Sequence, residues 1–144
     1  MPRIKLQPLP EYQTKFRITV RTTDLNYGGH LANDRVLALV HEARVDFLAR
    51  HGWSEMACAG ESLIMGDAAV VFKSEAFAGD ELVIETAATE PGGRGFRLCH
   101  RLTRPVDGTL VALVETGLVC FDYEAGKPKP LPPAVAAICL RAGD

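Results

Sequence analysis

The sequence predicts an α+β domain in which one long helix packs across a face of a single antiparallel sheet. Three observations favour this class. Residues 16–21 alternate apolar and polar side chains, as a half-buried strand does. Residues 33–48 carry the longest helical pattern in the chain. From residue 62 onward, short alternating segments are separated by turns, which predicts about four consecutive strands.

The predicted helix follows the first strand after a tight turn. Asn33 or Asp34 is placed to cap it, although the first turn can also start nearer His30. Gly52 is a natural stop. At 100° per residue one face is apolar and the opposite face is charged. The apolar stripe is Val36, Val40, Ala43 and Phe47, with Leu37 and Leu48 at its edge.

The later segments predict β-structure up to a short terminal helix. A strand over 62–74 is interrupted at Gly66-Asp67, which is typical of a bulge. Further strands are predicted near 81–86 and 95–103. The very apolar stretch 109–123 indicates a central strand.

Composition places the chain in an ordinary class. The 144 residues are 47% hydrophobic and carry a net charge of −2, which predicts one domain over 1–144 and no nucleic-acid partner. No signal peptide and no membrane span are expected, so a cytoplasmic protein is predicted. The four cysteines lack metal-site spacing and are predicted to be buried free thiols, with no metal site.

Polar residues crowd the turn between the first strand and the helix. They are Asp24, Asn26, His30 and Asn33. The glycines between them permit positive φ or a close approach to a ligand. Because N–H groups at a helix start are unpaired and lie at the positive end of the dipole, this turn suits an anion or an oxygen that gains negative charge.

Two motifs here resemble the hotdog-fold thioesterases of the 4-hydroxybenzoyl-CoA thioesterase type. They are Asp24-x-Asn26-x-x-Gly29-His30-x-x-Asn33 and His41-Glu42-Ala43-Arg44. Many relatives read Asp-x-Asp-x-x-Gly-His-x-x-Asn and then Glu-Glu-Ala-Arg at the same spacing. The turn at 78–84 and the Pro-rich ending at 127–132 are similar as well.

The resemblance implies a hotdog fold, a curved antiparallel sheet wrapped around one long central helix. It implies a homodimer or homotetramer with active sites between subunits. It also implies hydrolysis of an acyl-CoA or similar thioester, and no cofactor is expected.

The sequence departs from the family at Asn26. In the relatives with Asp-x-Asp, the second Asp is the catalytic carboxylate, and a neutral amide cannot act as a base or nucleophile. Glu42 is the first candidate to replace it, because other hotdog branches place an acid on the central helix, and Asp24 is the second. Glu42 is otherwise a solvated helix carboxylate, and Asp24 otherwise holds the turn.

Most of the remaining site residues have both a functional and a structural interpretation. The N–H groups of Gly29 and His30 are expected to polarise the carbonyl, or the glycines only form the turn. Asn26 orients water or bonds the carbonyl, or makes an Asx-turn. The His30 side chain bonds substrate or backbone. Tyr27 walls the acyl pocket or is a packed aromatic, and Asn33 is assigned to substrate binding.

Arg97 and Arg101 share a face of one predicted strand. They are candidates for the phosphates of CoA, since arginine binds phosphate well. A solvated sheet face is the alternative. His41 and His100 are interpreted as interface or core-edge residues.

Two other functions compete with hydrolysis. Hotdog hydratases pair an Asp with a nearby His, so an enoyl-CoA hydratase or dehydratase is one alternative. A non-catalytic acyl-CoA-binding module is the other, because Asn26 replaces Asp.

Overall fold

The computed structural model describes residues 1–141 and contains one sheet and one long helix. A 3-10 turn at Thr22–Asp24 precedes the long helix. The strands are β1 (Thr14–Thr19), β2 (Leu63–Phe72), β3 (Glu81–Thr89), β4 (Gly95–Arg104), β5 (Thr109–Asp122) and β6 (Lys127–Pro128). The helices are α1 (Asn33–Ala49) and α2 (Pro133–Ile138).

The sheet is antiparallel, with the strand order β1-β3-β4-β5-β2, and β6 pairs with the end of β5. The predicted central position of the most apolar segment is confirmed, because β5 lies between β4 and β2. The bulge is confirmed too, since the β2–β5 register shifts between Met65 and Asp67. β2 is left as an edge strand among the described residues.

Helix α1 packs against the inner face of the sheet, where it contacts β1 and β3. The predicted stripe is confirmed: Val36, Val40, Ala43, Phe47 and Leu48 are buried. Leu39 and Arg44 are buried as well, which the sequence analysis did not predict. The core has one cluster around Val40 and Ile84 and a second around Phe47 and Leu98, so α1 spans both.

The start of α1 differs from the prediction. The N-cap is Ala32, with no side-chain cap, so neither Asn33 nor Asp34 caps the helix. The helix also does not begin near His30. Tertiary bonds prevent it: Leu31 N–H donates to Ala76 O at 2.7 Å and Ala32 N–H donates to Asp24 O at 2.9 Å. These bonds hold the chain extended until Asn33.

The cysteines of the described chain are free, as predicted, and Cys58, Cys120 and Cys139 are buried, whereas Cys99 is only partly buried. Burial raises the pKa of Cys58 to about 12 and that of Cys139 to about 11, so both thiols stay protonated at neutral pH. Within residues 1–141, no helix has the length and apolar character that crossing a membrane requires.

Candidate active site

The loop between the 3-10 turn and α1 is closed by hydrogen bonds around Asn26. Asn26 N–H donates to His30 O at 3.0 Å, and Gly29 N–H donates to Asn26 O at 3.1 Å. Asn26 Oδ1 accepts from Gly28 N–H at 2.9 Å, which is the Asx-turn interpretation. The Gly29 N–H is therefore occupied inside the turn, and Gly29 supplies the positive φ of 82° that the turn needs.

Asp24 anchors this loop from inside the protein. Its side chain is fully buried, accepts from Arg21 N–H at 2.8 Å and pairs with Arg35 at 3.1 Å. Burial raises the pKa of the Asp24 carboxyl, but the hydrogen bonds from Arg21 and Arg35 outweigh it and leave that pKa lowered. These contacts support the structural interpretation of Asp24, in which its carboxylate holds the turn.

Asn33, at the first position of α1, presents a backbone N–H with no hydrogen-bond partner in residues 1–141. The neighbouring donors are occupied: Asp34 N–H donates to Asn33 Oδ1 at 2.9 Å, and Arg35 N–H donates to Ala32 O at 3.0 Å. The N–H of His30 also has no partner in this part of the chain. An unpaired N–H at a helix start lies in the positive field of the dipole.

A cleft of about 560 Å³ opens in front of this helix start. One wall is the loop from Asn26 to Asp34, and the other is residues 72–75 at the end of β2. Tyr27 stands fully exposed at its rim, so it is not a packed aromatic within this chain. Phe72 is 56% exposed on the opposite side. The cleft is thus bordered by the residue that carries the unpaired N–H and by two aromatic side chains.

His30 is the imidazole of this cleft. Its Nε2 lies 3.7 Å from Glu75 Oε1, and its ring meets Phe77 edge-on with centroids 6.3 Å apart. A Cβ atom added at Gly28 would lie 3.1 Å from His30 Nε2 and 3.2 Å from Asn26 Oδ1. Glycine at position 28 therefore leaves room for the imidazole beside the Asn26 amide.

Glu42 does not lie in the cleft. It is exposed on α1, nine residues after Asn33, which is roughly 13 Å along a helix that rises 1.5 Å per residue. Its carboxylate forms no hydrogen bond or ion pair within residues 1–141. Glu42 can approach a cleft of this type only through a second protomer.

The other two candidate histidines occupy different environments. His41 Nε2 lies 2.6 Å from Glu55 Oε1, and Glu55 also meets the buried Arg44 at 3.4 Å. His100 is fully buried and its Nδ1 lies 2.8 Å from Thr86 Oγ1. Burial, together with the charge of Arg44, lowers the pKa of His100 to about 3. His100 is a neutral core residue rather than a core-edge one.

Arg97 and Arg101 share a face, as predicted, but it is the outer face of the sheet, away from α1. Arg97 pairs with Asp67 at 2.9 Å and with Glu115 at 3.1 Å. Arg101 pairs with Glu85 at 2.8 Å and stacks on Tyr12, 4.7 Å from the ring centroid. The structure does not bring these arginines together with the loop at Asn26.

A cavity of about 820 Å³ also lies on the outer side and includes Cys99, Cys139 and Leu9 in its lining. Burial raises the pKa of Cys99 to about 11, so its thiol is a poor nucleophile at neutral pH. No cluster of metal-ligating side chains occurs within residues 1–141. The smaller cleft at α1 is therefore the better candidate site.

Sequence reasoning missed Glu75 as a member of this site. Glu75 lies 45 positions after His30, in a segment with no recognisable motif. Its carboxylate lies close to the His30 ring only because the chain leaves β2 beside the loop. The unpaired N–H of Asn33 was missed because the carbonyl donors were assigned to Gly29 and His30, whereas Asn33 was considered as a cap or a substrate-binding residue. Its only sequence signal was the polar cluster itself.

Comparison with known proteins identifies the family of the chain. A family model described as the thioesterase-like superfamily matches residues 20–139, which include the loop, α1 and the whole sheet after β1. Escherichia coli acyl-CoA thioester hydrolase YbgC is 28% identical over 128 residues, covering 86% of this chain and 95% of that protein.

Solved structures give the same result for the fold. A 1,4-dihydroxy-2-naphthoyl-CoA thioesterase from Synechocystis is 25% identical with a TM-score of 0.77, covering 87% of this chain and 94% of that one. A thioesterase from Thermus thermophilus, crystallised with coenzyme A and zinc, is 24% identical with a TM-score of 0.76, covering 89% and 98%. The predicted hotdog fold is confirmed.

Proposed function

Because the chain belongs to the thioesterase-like superfamily, we propose that it hydrolyses an acyl-CoA thioester to a free acid and a thiol at the cleft in front of α1. The observation that carries this proposal is the unpaired N–H of Asn33, aligned with the helix dipole and bordering the cleft. The naming of the Escherichia coli relative as an acyl-CoA thioester hydrolase supports CoA as the carrier.

The Asn33 N–H is proposed to stabilise the transition state. Attack on a thioester places negative charge on the carbonyl oxygen, and a backbone donor already fixed in position needs no reorganisation at that moment. One such donor is typically worth about 3–4 kcal/mol of activation free energy. The free N–H of His30 is the proposed second donor, because Gly29 N–H is used in the turn.

Asn26 is proposed to position the reacting groups rather than to accept a proton. Its Oδ1 is held by Gly28 N–H, which leaves the Nδ2 amide hydrogens free to bond water or the substrate. Tyr27 and Phe72, exposed on the two sides of the cleft, are proposed to cover the acyl group.

A homodimer is part of the same proposal. The edge strand β2 exposes three large apolar side chains, Ile64, Met65 and Phe72, and exposed hydrophobic edges favour pairing. Phe72 is also a cleft wall, so a protomer added along β2 would border the cleft. In such a dimer Glu42 of one protomer is the proposed alternative acid for the cleft of the other.

Thiol release tests the function directly. Wild-type protein incubated with a panel of short, long and aromatic acyl-CoAs is expected to release CoA thiol above the spontaneous rate for at least one ester. Light scattering on the same sample is expected to give a dimer or a larger even assembly. A monomer that turns over would contradict the shared site.

Two results would replace hydrolysis with another function. Hydration of a 2-enoyl-CoA without thiol release would identify a hydratase. Tight acyl-CoA binding with neither reaction would identify a binding module.

A further inference from the structure

The geometry points to His30 as the general base of this cleft, with the Glu75 carboxylate stabilising the protonated imidazole. This inference rests on the proposed thioester hydrolysis. It answers the question that Asn26 raises, because the usual carboxylate is absent from that position.

Few side chains of the cleft can accept a proton at neutral pH. Its titratable side chains are Tyr27, His30, Asp34, Lys73 and Glu75. A phenol and an ammonium group hold their protons at that pH, and exposed carboxylates are weak bases. The imidazole is the one group among them whose neutral form both persists and accepts a proton readily.

The surroundings of His30 suit that role. The side chain is 34% exposed, so water reaches it, and the edge of Phe77 fixes one side of the ring. The distance of 3.7 Å from Nε2 to Glu75 Oε1 is too long for a hydrogen bond, so Nε2 is not tied to the carboxylate. The carboxylate still lies within ion-pair distance of the ring nitrogen.

The reaction then balances without a co-reactant other than water. His30 removes a proton from water while the water oxygen bonds to the thioester carbon and the π electrons move to the carbonyl oxygen, facing Asn33 N–H. When the carbonyl re-forms, the carbon–sulfur bond breaks and the thiolate takes the proton from the imidazolium. The carboxylic acid loses its own proton to solvent.

Four variants of the protein test the assignment on a reactive acyl-CoA from the panel. His30→Gln is expected to lower kcat by about 10²–10⁴, the range for loss of a general base. Glu75→Gln is expected to lower kcat only about two- to fivefold, because the pair is exposed and screened. Its KM should stay close to the wild-type value, because Glu75 acts on the proton transfer rather than on substrate binding. His51→Gln, at the far end of α1, and Glu124→Gln, in a distant turn, are the matched controls and should match wild type.

Opposite outcomes overturn the inference in distinguishable ways. If wild type releases thiol and His30→Gln keeps more than half of that rate, His30 is not the base while the hydrolase proposal survives. If Glu42→Gln abolishes turnover instead, the base comes from the helix of a second protomer. A Glu75→Gln variant with the wild-type kcat, or with a change in KM alone, removes Glu75 from the assignment. A wild type without any thiol release overturns this inference and the proposed function together.

Discussion

The two faces of the sheet both carry hydrogen-bond donors, which among the described residues are paired on the outer face and unpaired in the cleft on the inner side. On the outer face, the cavity of about 820 Å³ is lined in part by Glu115, which pairs with Arg97, and Arg101 on the same face pairs with Glu85. On the inner side, the cleft of about 560 Å³ holds an N–H with no partner in the described chain and an imidazole 3.7 Å from its carboxylate neighbour, beyond hydrogen-bond distance. Cavity size favours the outer face, whereas unused hydrogen-bonding capacity favours the cleft.

The difference teaches that buried and paired polar groups stabilise structure, while unpaired ones in a cleft remain available for a substrate. The inner site also has a fixed frame, because the buried Asp24 ties the loop to Arg21 and Arg35. The outer ion pairs are partly exposed and are worth little stability.

The largest expected effect on stability comes from a substitution at Asp24. Asp24→Asn leaves the Arg21 and Arg35 contacts without their charge, so the free energy of unfolding should fall by about 2–3 kcal/mol at neutral pH. Asp67→Asn on the outer face, exposed and paired with Arg97, is the control and should cost less than about 1 kcal/mol. Urea unfolding measures both, and equal losses would remove the contrast.

The same variant has a pH signature. The folded-state pKa of Asp24 is lowered, so its contribution is present above the unfolded-state pKa and is lost as pH falls through the folded-state value. Wild type should therefore lose more stability on acidification than Asp24→Asn does. Parallel acid dependences would contradict the buried ion pair.

An intermediate effect is expected from adding a methyl group on each face. Gly28→Ala presses on His30 Nε2 and Asn26 Oδ1, so kcat should fall about tenfold with little change in stability. Gly117→Ala, whose Cβ would collide with Asp67 Oδ1, should disturb the outer ion pair and leave kcat unchanged. Steady-state kinetics with thermal unfolding separates them, and a slower Gly117→Ala enzyme would link the two faces.

The smallest effect is expected from removing both outer arginines. Arg97→Ala with Arg101→Ala should leave the ratio of KM values for CoA and pantetheine esters unchanged, because both side chains are already paired. A rise in KM for CoA esters alone would restore the phosphate-binding role that the sequence suggested.

Periodicity was sufficient to predict most of the fold. The apolar stripe of α1, the bulge near Gly66 and the central position of β5 follow from local patterns that burial on one face imposes. The burial of Arg44 was not predicted by the apolar pattern. A charged residue can occupy a buried face when its head group reaches a partner such as Glu55.

The site was less predictable, for a physical reason. The polar turn marked its location, but the helix start depends on long-range bonds from Leu31 to Ala76 and from Ala32 to Asp24. Likewise, His30 meets Glu75 only because β2 ends beside the loop. Neither contact has a local sequence signal.

The central claim is that the backbone N–H of Asn33 stabilises the oxyanion, and the most direct test removes that N–H. Asn33→Pro deletes the unpaired N–H at the first helical position, where proline is well tolerated. The preceding Ala32 is already extended, at φ −72° and ψ 145°, as a residue before proline must be. Asn33→Ala is the control, because it loses the same side chain and keeps the N–H.

The measured quantity is kcat for thiol release from an acyl-CoA that wild type hydrolyses. Asn33→Pro should fall about 10²–10³-fold below Asn33→Ala, with an unchanged thermal midpoint. Equal kcat values in the two variants would show that the N–H of Asn33 does not stabilise the oxyanion, and the cleft would lose its assignment as the site of hydrolysis.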